Sequence, residues 1–201
     1  MRLHVVLPII FALLFSAFSS ANDKDGSHIQ PDNLYPRVKM ETSMGDIVVE
    51  LNRSRAPITV NNFLRYVEKR SYEDTIFHRV IPGFVVQGGG YDVDMQEKPS
   101  FKPIFNESGN GMKNGLYTIA MARQNDPHTA NRQFYFNLGD NTNLDPGRDW
   151  GYAVFGTLVE GYEVVEAISQ VETDYDLKYG WPNVPKEPVI LKKVTVLPEA
   201  F

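Results

Sequence analysis

Three stretches of the 201-residue chain collect the side chains that could do chemistry. The first is Phe77-His78-Arg79-Val80-Ile81-Pro82-Gly83-Phe84-Val85-Val86-Gln87-Gly88-Gly89. It sets an imidazole, an always-charged guanidinium and a carboxamide (His78, Arg79 and Gln87) into an otherwise apolar run. The second runs from Ile119-Ala120-Met121-Ala122-Arg123 to Gln133-Phe134-Tyr135-Phe136-Asn137. The third runs from Leu144-Asp145 to Gly151-Tyr152-Ala153-Val154-Phe155-Gly156. These types offer hydrogen bonding by a fixed cation and by amides beside aromatic rings. Taken singly they are ordinary. Arg79 reads as a surface arginine, Phe84 and Tyr135 as core aromatics, and Phe77, Val80 and Ile81 as core.

Other chemistries drop out. The chain has no cysteine, which excludes disulfides, thiol catalysis and Cys metal sites. Gly88-Gly89-Gly90 lacks the Gly-Lys-Ser/Thr ending of a phosphate loop and reads as a tight turn or close backbone packing. His78 and His128 show no metal-ligand spacing, so no metal or cofactor is expected. No Gly-x-Ser-x-Gly elbow is present. A net charge of -5 argues against a nucleic-acid partner.

The elements that must position these residues are short. Residues 38–42 and 47–51, joined by Ser43-Met44-Gly45-Asp46, read as a hairpin. Pro57 suits a first helical position, and Val60, Phe63, Leu64 and Val67 form one apolar face. Strand-like runs follow at 75–81, 84–87, 116–121, 133–138 and 153–158. A second helix is expected at 162–169 and a closing strand at 189–196. Many short strands with two helices indicate a mainly β barrel or sandwich with helical caps, in a single domain over 37–201.

The N-terminus has another character. Arg2 and His4 precede an apolar run over 5–18, then Ser19-Ser20-Ala21, in the three-part form of a secretory signal peptide spanning 1–21. The run is short for a membrane span, although an uncleaved anchor is the alternative. Residues 22–36 are polar and aperiodic, and read as a flexible leader. No stable membrane insertion is expected after signal cleavage, and the C-terminal residues carry no ER-retention tetrapeptide.

The three chemistry-bearing stretches, in their order and spacing, resemble the cyclophilin family of peptidyl-prolyl cis-trans isomerases over about residues 38–198. Pro182-Asn183-Val184-Pro185 and the signal segment resemble that family's periplasmic bacterial branch; another secretory compartment is the alternative. The resemblance implies a closed eight-stranded antiparallel β-barrel capped by two helices. It also implies rotation of X-Pro bonds in proline-containing polypeptides, here exported proteins assisted in folding. Arg79 matches the family's catalytic arginine, with Gln87 and Phe84 beside it. The resemblance lines the proline slot with Phe84, Val85, Tyr135, Leu144 and Tyr152. Gln87 and Gln133 hold the substrate backbone, and Ala122 and Arg123 border the next subsite. His78 is divided between a structural role and the same groove.

An X-Pro bond keeps its plane because the nitrogen shares its lone pair, with a barrier of roughly 18–20 kcal/mol. A fixed cation that donates to the freed lone pair binds the twisted state better than either planar state. Two positions depart from the family pattern. Asn143 stands where an aromatic, commonly Trp, precedes the Leu-Asp pair, so weak or no cyclosporin binding is expected. Tyr135 stands where Phe is usual, and its hydroxyl needs a partner if buried. A monomer is expected. The alternative function is a proline-directed binding module or chaperone with little turnover.

Overall fold

A computed structural model describes residues 25–199 of the chain. The expected signal segment lies outside them. Among the described residues no helix is long and apolar enough to cross a membrane. The expected hairpin forms from β1 (Arg37–Thr42) and β2 (Gly45–Leu51). α1 (Pro57–Glu68) follows, with Pro57 in its first turn and Thr59, Val60, Phe63, Leu64 and Val67 buried. The first amides of a helix lack internal partners. Here the Glu107 carboxylate accepts from the N–H groups of Ile58 and Thr59 at 3.1 and 2.8 Å, placing an anion on the positive end of the helix.

β3 (Thr75–Ile81), β4 (Val85–Asp92), β5 (Thr118–Met121), β6 (Phe134–Asn137) and β7 (Val154–Glu160) come next. α2 (Tyr162–Ser169) follows, and β10 (Ile190–Val196) closes the sheet. Eight strands pair antiparallel in the closed order β1-β10-β3-β4-β6-β5-β7-β2. This is the expected eight-stranded barrel with two helices. Phe63, Phe134, Phe136 and Phe155 fill its apolar centre, with Phe63 edge-on to Phe134 at 5.8 Å.

Three features differ from the sequence reading. Of the two readings of Gly88-Gly89-Gly90, the tight turn fails and the close backbone packing holds, because the run lies inside β4 with its backbone closely approached. A Cβ on Gly90 would stand 2.6 Å from the Gln133 side chain, so that amide can lie across the strand only because the residue is glycine. A separate hairpin, β8 (Thr173–Asp176) with β9 (Trp181–Pro185), forms a two-stranded sheet outside the barrel. Its alternation is too weak to read from sequence.

Residues 25–36, expected to be a flexible leader, are laid against the barrel. The buried Arg53 donates to the carbonyls of Ile29, Gln30 and Asn33 and to Asn61 Oδ1. Gln30 Nε2 donates to the Leu197 carbonyl at 2.7 Å, and His28 pairs with Glu68 at 2.7 Å. The segment whose composition suggested looseness is held through its backbone carbonyls, which composition does not reveal.

Candidate active site

Two residues of β3 face outward side by side, and a bulge is the reason. Phe77 pairs with Gly88 and Arg79 with Gln87, so β3 advances two residues where β4 advances one. The extra residue is His78. Strict alternation would turn either His78 or Arg79 inward. The bulge instead sends Phe77 and Val80 into the core and keeps both polar side chains on the outer face.

Arg79 and Gln87 are thus cross-strand partners, and Arg79 Nη1 donates to Gln87 Oε1 at 3.2 Å. Gln87 Nε2 in turn donates to Gln133 Oε1 at 3.0 Å. The result is a polar row from β3 across β4 to the residue before β6, leading from a cation through two amides. Arg79 also stands 5.9 Å from the ring centre of Phe84, which links the row to its apolar neighbour.

That neighbour is a patch on the outer face of four adjacent strands. Val85 of β4, Tyr135 of β6, Ala120 of β5 and Val154 of β7 form its buried floor. Phe84, Met112, Ala122, Leu144 and Tyr152 pack around it, part exposed. Tyr135 and Tyr152 meet edge to face at 5.9 Å. A second, smaller cleft borders Gln87, Ala122, Arg123 and Gln133. The segment carrying Tyr152 is held by Arg123, which donates to the carbonyls of Trp150 and Gly151 and stacks 4.5 Å above the Tyr152 ring.

The structure therefore brings Arg79, Gln87, Phe84, His78, Val85, Ala122, Arg123, Gln133, Tyr135, Leu144 and Tyr152 to one face. Asn143 is the exception. It sits exposed on the 3-10 turn Thr142–Leu144, beside Leu144 but outside the patch.

Asn114 is a residue the sequence did not single out. It is buried, and its Oδ1 accepts from the Tyr135 hydroxyl at 2.8 Å. The partner that Tyr135 needed is therefore internal, and its hydroxyl does not reach for solvent. Asn114 Nδ2 donates to the Leu144 carbonyl and to Asp145 Oδ1, both at 3.1 Å. One side chain thus ties β6 to the turn that carries Leu144. Burial pushes the Tyr135 phenol well above its ordinary range, with Tyr152 adding to the shift, so it remains a donor. Burial opposes ionisation of Asp145. Hydrogen bonds from Asn114 and the charge and hydrogen bond of Lys113 together outweigh it and hold that carboxyl below its usual range.

His78 is buried, pushed down to about 4 first by that burial and then by the charge of Arg79. It is neutral at physiological pH. Among the described residues no three His, Cys, Asp or Glu side chains gather into a metal-sized group.

Comparison with known proteins agrees with this geometry. The family model described as cyclophilin type peptidyl-prolyl cis-trans isomerase/CLD matches residues 37–196. The chain is 49% identical over 164 residues to peptidyl-prolyl cis-trans isomerase cyp18 of Streptomyces antibioticus, covering 80% of this chain and 98% of that protein. It is 41% identical over 198 residues to peptidyl-prolyl cis-trans isomerase A of Dickeya dadantii, covering 98% and 99%. A crystal structure of a Cryptosporidium parvum cyclophilin type isomerase matches with a TM-score of 0.65 at 25% identity, over 83% of this chain and 99% of that one. A second structure of that protein, in the presence of the dipeptide Ala-Pro, matches with a TM-score of 0.63. The match begins with the first barrel strand and ends with the last, and it takes in the bulge, the polar row and the patch; the chain belongs to the cyclophilin-type peptidyl-prolyl cis-trans isomerases.

Proposed function

We propose that Arg79 is the catalytic residue of this isomerase and that the patch floored by Val85 and Tyr135 receives the substrate proline. The observation that carries the reading is the hydrogen-bonded Arg79–Gln87 pair directly beside that patch. With proline against Phe84, Leu144 and Tyr152, the imide nitrogen faces the guanidinium. As the bond twists, the nitrogen turns pyramidal and its lone pair accepts a hydrogen bond from Arg79. Planar substrate has no free lone pair to offer, so the interaction strengthens only on the way to the barrier. Gln87 fixes the guanidinium in advance, which spares reorganisation during the reaction. A donor of this kind contributes about 3–4 kcal/mol. Gln133 and Gln87 hold the peptide backbone, and Ala122 and Arg123 border the neighbouring residue. The Ala-Pro dipeptide named with the Cryptosporidium parvum structure supports a proline ligand here by analogy.

The substrates are proline-containing polypeptides, in our reading exported proteins undergoing folding. The three-part N-terminus over residues 1–21 and the 41% identity to the Dickeya dadantii isomerase support export to the bacterial periplasm. Cell fractionation with sequencing of the mature N-terminus tests this; an uncleaved chain in the cytoplasm would refute it. Asn143 supplies no aromatic wall, so cyclosporin binds weakly or not at all. The protein acts as a monomer without cofactor.

The deciding experiment measures cis-to-trans exchange of an X-Pro peptide by NMR for wild type and Arg79→Ala. A fall of about a hundredfold in the variant is expected. Equal rates in both would dismiss the Arg79 mechanism. If both matched the uncatalysed rate while peptide still bound, the protein would be a proline-directed binding module.

A further inference from the structure

A cleft of about 260 Å3 shares Arg79, Gln87 and Gln133 with the polar row but none of the residues of the proline patch. Its remaining lining is His78, Tyr91, Trp181 and Pro182. The wall is aromatic. His78 and Tyr91 meet edge to face at 4.8 Å, Tyr91 and Trp181 at 4.9 Å, and Tyr179 backs Trp181 at 5.3 Å. Two local irregularities build it. The β3 bulge brings His78 to the outer face, and the β8–β9 hairpin, which is no part of the barrel, leans against β3 to bring Trp181. Trp181 and Tyr91 are only partly buried, and His78 Nδ1 is buried without a hydrogen-bond partner.

The chemistry narrows the occupant. The volume is below the 300–1,000 Å3 of small-molecule pockets and suits one side chain. Aromatic faces alone would draw a cation, but Arg79 at the same cleft repels one. A carboxylate would be drawn to Arg79, but it would occupy the guanidinium that the proposed reaction needs and lose its hydration against Trp181, Tyr91 and Pro182. An aromatic side chain matches the walls, because rings prefer the edge-to-face and offset arrangements already present there. Continuity with Gln87 and Gln133 places that side chain on the same polypeptide as the isomerised bond.

We propose that this cleft is a specificity subsite that takes an aromatic side chain flanking the X-Pro bond. The proposal rests on the assignment of Arg79 and the proline patch made above.

The test compares peptides with Phe or Ala immediately before proline, and with Phe or Ala immediately after it. Wild type is expected to favour Phe in kcat/KM by roughly tenfold at one of the two positions. That position gives the direction of the bound chain. Trp181→Ala should bring the Phe-to-Ala ratio close to one, and Trp181→Phe should keep most of it. A ratio unchanged in Trp181→Ala at both positions overturns the subsite, as does an equal loss on all peptides. Arg79→Ala separates the two readings, since it lowers the rate on every peptide if Arg79 is catalytic. Should it fail to, binding still decides the subsite. The Trp181 indole N–H signal, identified by its loss in Trp181→Phe, must shift with the Phe peptide and not with the Ala peptide. A signal unmoved by both rejects the proposal.

Discussion

The Tyr135 hydroxyl donates to Asn114 Oδ1 at 2.8 Å, inside a site that otherwise asks only for apolar surface at that point. Asn114 is also reached by Asn137 Nδ2 at 3.3 Å, so its oxygen has a second partner. Tyr135→Phe is therefore expected to lower stability by only about 1 kcal/mol, with kcat/KM within about threefold of wild type. Asn114→Leu strands the Tyr135 hydroxyl and removes the donor to Leu144 and Asp145. A loss of about 2–3 kcal/mol is expected, with KM rising more than kcat falls. Urea denaturation and steady-state kinetics on both variants check the order; a greater loss in Tyr135→Phe would contradict it.

His78 gives the stability a pH dependence. Its folded value of about 4 lies below the ordinary 6.5, so between those limits the unfolded chain binds the extra proton. The contribution is therefore fully present above pH 6.5 and is lost as pH falls towards 4. At 1.36 kcal/mol per unit it amounts to about 3 kcal/mol. Chemical denaturation at intervals across this range should show the decline, and His78→Gln should flatten it. A profile of the same slope in the variant would assign the decline to other groups.

Arg132 is a buried guanidinium with carbonyls for partners. It donates to Gly89 and Pro99, each at 2.7 Å, and to Ser71, and lies 5.3 Å from the Tyr66 ring centre. It knits β4, the segment after it and the turn that follows α1 together. Arg132→Ala leaves three carbonyls unpaired beside a cavity, and a loss of about 4 kcal/mol is expected. Arg132→Lys, a single point of donors without the fork, should recover less than half of it. Thermal unfolding decides; a melting temperature within a few degrees of wild type in Arg132→Ala would contradict this account.

Arg53 fastens residues 25–36. Arg53→Ala is expected to lower stability by about 2 kcal/mol and to open the chain around Leu34 and Tyr35 to protease, with isomerase activity retained. Mass spectrometry of limited digests reads this directly. Cleavage at the same rate in both proteins would mean that other contacts hold the segment.

The barrel strands and both helices were legible because their signals are local. Val60, Phe63, Leu64 and Val67 repeat at helical spacing within one segment, and the three motif blocks hold most of the side chains that the fold gathers to one face. What the sequence did not reveal depends on distant partners. Arg132 meets Gly89 and Ser71 across 43 and 61 residues, and Arg53 meets Ile29 across 24. Their acceptors are backbone carbonyls, which every residue type offers, so no pattern marks them. The bulge at His78 was equally silent. The run Thr75–Ile81 alternates imperfectly, and only pairing with β4 tells which residue is the extra one. The hairpin carrying Trp181 holds two prolines and few apolar residues, which by composition argues for a loop.

Closure of the barrel has a consequence under the proposal that the substrates are exported chains still folding. Such chains carry unpaired backbone amides and join any open strand edge they meet. Eight strands closed on themselves present no such edge, so on that proposal the barrel offers aggregating polypeptides nothing to join. The edges that remain among the described sheets belong to β8 and β9, which hold only four and five residues. Asp174 and Asp176 charge one of them, and Pro182 and Pro185 withhold amides from the other, leaving little for a misfolding chain to extend.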